Sequence, residues 1–297
     1  MMRIVLFLLT NLAILVVGGI VLSLLGFTGF LDADGIGLDM GALFVFALVF
    51  GFTGSIISLL ISKPMAKRAA RVRIIDQPRN QTEIWLMQTV QELARKAKIG
   101  MPEVGIFPAQ QANAFATGWN RNNALVAVSE GMLQRFTADE VKAVMAHEIG
   151  HVANGDMVTL SLVQGVVNTF VIFLARLIGF FVDRVVLKNE RGLGPGYYIT
   201  SIVMDIVLGF LAMTIVAWFS RVREYRADAA GAQLADRRGM IGALQRLKAE
   251  YEVPNQMPDS MVAFGINGGG LNGLKKLFAS HPPLDDRIAA LTEQRHG

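Results

Sequence analysis

Residues 137–151 read TADEVKAVMAHEIGH, and this stretch decides the fold. Thr137-Ala138-Asp139-Glu140 has the form of a capping box, in which a hydroxyl and a carboxylate three residues apart satisfy each other's backbone N–H groups. It opens a helix that carries Val141, Val144 and Met145, then His147-Glu148-Ile149-Gly150-His151. Positions i and i+4 share a helical face, so His147 and His151 aim two imidazole nitrogens at one point. Neutral imidazole suits zinc. Glu148 stands beside them, within reach of a water activated there without being a ligand itself.

This is the H-E-x-x-H arrangement of zinc proteases. The five-residue pattern arises by chance in roughly one chain of this length per hundred, so its context must carry the reading. The helix has a cap, and two of the chain's four His lie in the motif. A surface helix with incidental histidines is the bland alternative. A zinc protease needs a third protein ligand and an open fourth position. No His follows within a few residues, so the metzincin extension is absent and the candidates are carboxylates. Glu224 stands out, in Glu224-Tyr225-Arg226-Ala227-Asp228. On a helix Glu224 and Asp228 share a face, so one can ligate while the other orients a ligand histidine. The alternative for Glu224 is a solvated charge paired with Arg221 or Arg223.

Outward from the motif, the chain is apolar. Of 297 residues 53% are hydrophobic and 18% charged, and the mean hydropathy is +0.44. Disorder, a collagen-like fibre and a disulfide scaffold are excluded. The absence of Cys removes thiol nucleophiles, thiolate zinc fingers and Fe–S clusters. Residues 4–31 and 40–62 carry no charge, each exceeding the roughly 20 residues that cross a bilayer core. The first is too long for a signal-peptide h-region and has no A-x-A site after it, so an uncleaved anchor is expected. Residues 157–182 carry only Arg176 and residues 198–220 only Asp205. Either these two charges pair or line a polar path, or Arg176 snorkels and Asp205 lies at an interface. Asp32, Asp34 and Asp39 precede the second span, and Lys63, Lys67, Arg68, Arg71 and Arg73 follow it. The positive-inside rule then puts both ends of this hairpin in the cytoplasm. If His151 and Glu224 share a site, an even number of crossings must lie between them.

The polar segment reads as a helix over 76–95, with Ile84, Leu86, Met87, Val90 and Leu93 apolar, followed by short strands at 104–107, 112–117 and 124–129. The run Asn113 to Gly118 suits a sheet-edge strand that binds extended substrate by backbone pairing, with Asn113 and Ala114 at its start. An ordinary core strand with Phe115 packed inward fits the pattern equally. Residues 236–295 read as helices with Leu244, Leu247, Leu274, Leu277, Ile288 and Leu291 as core positions. Nucleic-acid binding is not expected, because topology explains the basic cluster after Ser62. A transporter reading gains little from only four spans without an internal repeat. A catalytically dead scaffold would require loss of Glu148 or a ligand, and all are present.

Two N-terminal spans, Asn113 to Gly118, the run His147 to Thr159, Glu224 to Asp228, and His281-Pro282-Pro283-Leu284-Asp285-Asp286-Arg287-Ile288 together resemble the HtpX membrane zinc metalloproteases, bacterial relatives of the CAAX prenyl endopeptidases. The likeness covers nearly the whole chain, with the motifs in the family's order. It implies His147, His151 and Glu224 as ligands of one zinc ion, Glu148 as catalytic acid/base, and cleavage of misfolded or damaged membrane proteins from the cytosolic face of the inner membrane. The expected fold is mainly α with a small β-sheet, a multi-pass membrane protein with a zincin-like catalytic domain. Its parts are a membrane hairpin over 1–62, a cytosolic catalytic region over 63–156, a second hairpin over 157–220 and a cytosolic C-terminal region over 221–297. For the oxyanion, His281 and Tyr225 are candidates, although His281 serves equally well as a loop histidine holding local structure. The short loop 183–197 and the flexible Gly268-Gly269-Gly270 depart from the family without touching a ligand position.

Overall fold

A computed structural model describes residues 2–27, 29, 31, 37–190, 192–250 and 281–293. The order is α1 (Met2–Leu24), α2 (Met40–Ala69), β1 (Arg73–Ile74), α3 (Gln81–Lys96), β2 (Glu103–Phe107), β3 (Ala114–Gly118), β4 (Ala124–Ser129), α4 (Glu130–Arg135), α5 (Ala138–Asn154), α6 (Asp156–Phe181), a π-helical turn (Val182–Val186), α7 (Pro195–Leu234), α8 (Arg237–Ala249) and α9 (Leu284–Glu293). The chain is mostly helical with one small sheet, as the sequence implies. It forms two compact units, one of residues 1–59 with 160–216 and the other of 60–159 with 217–297.

The first unit is helical, and its surface is apolar: Leu15, Phe170, Ile199 and Phe210 are all more than half exposed. Among the described residues, three helices are long and apolar enough to cross a membrane, Met40–Ala69, Asp156–Val186 and Pro195–Leu234; within α1 the apolar stretch Leu12–Leu24 is shorter. Two of the three, α6 and α7, begin after His151, and Glu224 lies toward the end of the second. With lipid tails as apolar as leucine, helices associate through close packing and polar contacts. Ser161 Oγ on α6 donates to the Ser55 carbonyl of α2 at 2.8 Å. Arg176 Nη1 meets Asp205 Oδ2 at 2.8 Å, so the two charges of the last spans pair across α6 and α7. The short connection is structured: buried Asp183 accepts from Asn189 Nδ2 at 2.7 Å and from Gly194 N at 2.8 Å, holding the π-helical turn to the start of α7.

The second unit is built on a four-stranded sheet in the order β1-β2-β4-β3. β2 runs parallel to β4, while β1–β2 and β3–β4 are antiparallel. Val104, Ile106, Ala116, Val126 and Val128 face a core shared with Leu86, Val90 and Leu93 of α3, Val144 and Met145 of α5, Leu244 and Leu247 of α8, and Leu291 of α9. Phe107, Phe115, Leu125 and Ala127 face the other way, against Ala66 and Ala70 at the end of α2. Each buried Leu contributes about 1.5–3 kcal/mol. Burial on both faces removes the alternation that marks a half-exposed strand.

Several boundaries differ from expectation. α3 starts at Gln81, not at 76, because Asn80 takes extended backbone and its side chain caps the Glu83 N–H. Ile84 is exposed, whereas Leu86, Val90 and Leu93 are fully buried. β3 begins two residues late, and β1, only two residues long, gave no sequence signal. α2 continues past Ser62 through Pro64 to Ala69. The last apolar stretch is part of one 40-residue helix, α7, that carries on through Glu224 and Asp228. Leu274, Leu277 and Gly268-Gly269-Gly270 lie outside the described residues.

Candidate metal centre

The capping box forms as read: Thr137 Oγ1 accepts from Glu140 N, and Glu140 Oε2 accepts from Thr137 N at 2.8 Å. From that start α5 carries His147, Glu148 and His151 into the interior, all buried. Gly150, between the histidines, lets α7 approach: a Cβ there would sit 2.9 Å from Ala230 Cβ. The close approach brings Glu224 to the histidines. His151 Nε2 lies 3.2 Å from Glu224 Oε1, and His147 Nε2 lies 3.6 Å from Glu224 Oε2. One ligand atom from each of the three residues falls within 4.8 Å of the others.

The opposite ring nitrogens are held by carboxylates. His147 Nδ1 meets Asp228 Oδ1 at 2.9 Å, one turn along α7 from Glu224. His151 Nδ1 meets Asp156 Oδ2 at 2.7 Å. That contact depends on Gly155, which ends α5 at φ 69° and lets α6 begin one residue later, so Asp156 folds back on its own helix end. A carboxylate on Nδ1 fixes the tautomer that leaves Nε2 unprotonated and able to ligate. His147 Nε2 is buried without a hydrogen-bond partner among the described residues.

Around these atoms the carboxylates of Glu148, Asp156, Glu224 and Asp228 and the guanidiniums of Arg223 and Arg287 are buried. With the carboxylates ionised and the histidines neutral, the site carries two negative charges in excess, which one divalent cation offsets. An orphaned imidazole nitrogen, an N,N,O donor set and this charge balance fit a metal ion. Burial opposes a charge on His147, yet Asp228 at its Nδ1 and the nearby Glu224 carboxylate raise its pKa. His151, also opposed by burial, is raised to about 10 by Asp156 and Glu224. Burial pushes the Glu148 carboxyl up against the pull of the two histidines.

Arg287 lies within the His281–Ile288 motif, where the sequence alone assigns it no role. It is fully buried and forks onto Asp228, with Nε–Oδ2 at 2.8 Å and Nη2–Oδ1 at 2.6 Å. Its Nη1 lies 3.5 Å from Glu224 Oε2. Burial opposes its charge, and Asp228 more than restores it. One signal existed: Arg287 shares a helical face with Leu284 and Leu291, a charge on an apolar stripe. Asp156 has no part in the sequence reading, and Arg223 enters it only as an alternative charge partner for Glu224. His281 reaches the site, with Nδ1 at 2.7 Å from Glu224 Oε2. Tyr225 is more than a third exposed. Asn113 is buried just before β3; its Oδ1 accepts from Ala114 N at 2.8 Å and its N–H donates to Ser129 Oγ at 2.9 Å. β3 closes one edge of the sheet with both faces covered, and α5 packs against it, so it is at once an edge strand and a core strand.

The model of peptidase family M48 matches residues 80–295, which takes in every residue of this site. The chain belongs to peptidase family M48. Among the curated relatives of this M48 metalloprotease, "Protease HtpX" of Alcanivorax borkumensis is 67% identical over 298 residues and the alignment spans 100% of both chains. "Protease HtpX" of Pseudomonas putida strain GB-1 is 65% identical over 98% of this chain and 99% of that one. Among solved structures, Ste24p of S. mikatae superposes with a TM-score of 0.58 at 18% identity. The alignment covers 97% of the M48 chain and 66% of Ste24p, and at that identity it speaks to the fold alone. The chain is a multi-pass membrane metalloprotease of this family, acting on polypeptides.

Proposed function

We propose that this M48 peptidase is a zinc endopeptidase of the inner membrane that hydrolyses misfolded or damaged membrane proteins from the cytoplasmic side. The observation that carries the reading is the meeting of His147 Nε2, His151 Nε2 and the Glu224 carboxylate beside buried Glu148. His147, His151 and Glu224 would hold the ion, and the N,N,O set favours zinc. Bound zinc supplies Lewis-acid polarisation of the scissile carbonyl and lowers the pKa of water toward about 7.

The protein's own groups do the rest. Glu148 takes the proton from the attacking water and passes it to the leaving amine; a carboxyl whose pKa burial raises is suited to hold that proton between the two steps. Asp228 and Asp156 keep the histidines in the ligating tautomer. His281 holds Glu224 through Nδ1, and its Nε2, on the other side of the ring, is the group placed to meet a developing oxyanion. β3, at the sheet edge with Asn113 and Ala114 at its head, offers an extended substrate a backbone to pair with. The cytoplasmic placement rests on the basic flank after Ser62 and the acidic one before Met40.

The test is a paired measurement on detergent-purified protein, metal content and casein cleavage for wild type and Glu148→Gln. Zinc is expected in both, with cleavage reduced about 10²–10⁴-fold in the variant. Metal in neither would sink the ligand assignment.

A further inference from the structure

One buried charge near the site takes no part in the chemistry above. Arg223, immediately before Glu224 on α7, is only 7% exposed. Its Nη1 donates to the Asp156 main-chain carbonyl at 3.0 Å and its Nη2 to Ser220 Oγ at 3.0 Å. The guanidinium carbon lies 5.8 Å from the centre of the Phe219 ring. Nε has no hydrogen-bond partner among the described residues. No carboxylate lies within ion-pair distance of it among those residues. Burying a guanidinium is costly, and an apolar side chain of similar volume is often neutral or stabilising by comparison. A buried arginine left with an idle donor is therefore poorly explained by stability alone.

What its fork does hold is specific. Asp156 is the first residue of α6, joined to α5 only through Gly155, and among the described residues its side chain is the one that holds His151 Nδ1. The carbonyl that Arg223 grips belongs to that same residue. Arg223 thus ties the turn of α7 bearing Glu224 to the backbone of the residue that aims His151. We propose that Arg223 is a positioning residue of the metal centre: by fixing the Asp156 backbone it sets the carboxylate that orients His151, and so brings two of the three ligands into one register. This rests on the ligand set proposed above.

The experiment is a double-mutant cycle on full-length, detergent-solubilised protein, read as zinc affinity by competition with a chromophoric chelator. Asp156→Asn is expected to weaken zinc binding about 10–100-fold, the usual cost of losing such a partner. Arg223→Met is expected to weaken it about tenfold, and the Arg223→Met/Asp156→Asn pair no more than Asp156→Asn alone, because both act through one contact. Arg223→Lys keeps one donor for the carbonyl and is expected between wild type and methionine; it carries the same cycle if the methionine chain does not fold. Unchanged affinity in Arg223→Met, or losses that multiply in the double variant, would overturn the proposal, since a purely structural role is independent of Asp156. A wild-type chain that binds no zinc would overturn the ligand set and the proposal together.

Discussion

Two arginine–aspartate pairs sit among the described residues, and they differ in everything but chemistry. Arg287 and Asp228 are fully buried, joined by two short hydrogen bonds, and the same Asp228 oxygen that meets Arg287 also meets His147. Arg176 and Asp205 are joined once, their side chains remain 23% and 34% exposed, and Asp205 Oδ1 has no partner among the described residues. The first pair has its geometry fixed from both ends and passes that geometry to His147, a proposed ligand. The second joins two helices and passes nothing on. An ion pair becomes a positioning device when both of its members are held by fork geometry and a third group reads the result.

Breaking each pair should expose this difference. Arg287→Met leaves Asp228 buried and uncompensated, and is expected to cost about 3–5 kcal/mol of stability. Zinc affinity should fall about 10–100-fold with it. Melting curves with and without chelator would separate the two losses, and an unchanged zinc affinity would refute the link from Arg287 to His147.

A second test uses protons. The folded pKa of His151 is raised to about 10 from an ordinary 6.5. A raised histidine pKa stabilises the metal-free fold fully below about 6.5, and that contribution is lost as pH climbs to about 10. Zinc must displace this proton, so its affinity should strengthen by up to about tenfold per pH unit across the same window. Chelator competition at pH 7 and pH 9 measures it; a flat profile would mean that His151 is not a ligand.

The smallest effect is expected at the other pair. Arg176→Leu together with Asp205→Leu should change stability by about 1 kcal/mol or less, in line with polar contacts between membrane helices. Zinc content should match wild type. Loss of zinc from that variant would erase the distinction between the pairs.

What the sequence made legible was local. The capping box and His147, Glu148 and His151 are all specified within one helix by spacing, and Glu224 with Asp228 by a second i, i+4 pair. The sheet was legible in outline, but its edges were not, because β1 is two residues long and both faces of β3 are covered. The supports of the site were the harder part. Asp156 lies beyond a helix end, and only the left-handed turn at Gly155 sends it back to His151. Arg223 and Arg287 bond groups more than 50 residues away in sequence, a distance at which no periodicity speaks. The start of α3 was misplaced for a simpler reason: Asn80, not Asp76, takes the extended backbone of a cap.

The order of the ligands along the chain also sets a schedule for synthesis. His147, His151 and Asp156 leave the ribosome almost together, whereas Glu224 follows about 70 residues later, a delay of roughly 4–15 s at 5–20 residues per second. α6 and most of α7 are made in that interval, and Arg287 comes later still. On the proposed ligand set, a nascent chain holds only half a grip on the ion until α6 and most of α7 have been made. On that reading the chain is inert as it is made, and its metal centre is completed only after its later helices are available to the membrane.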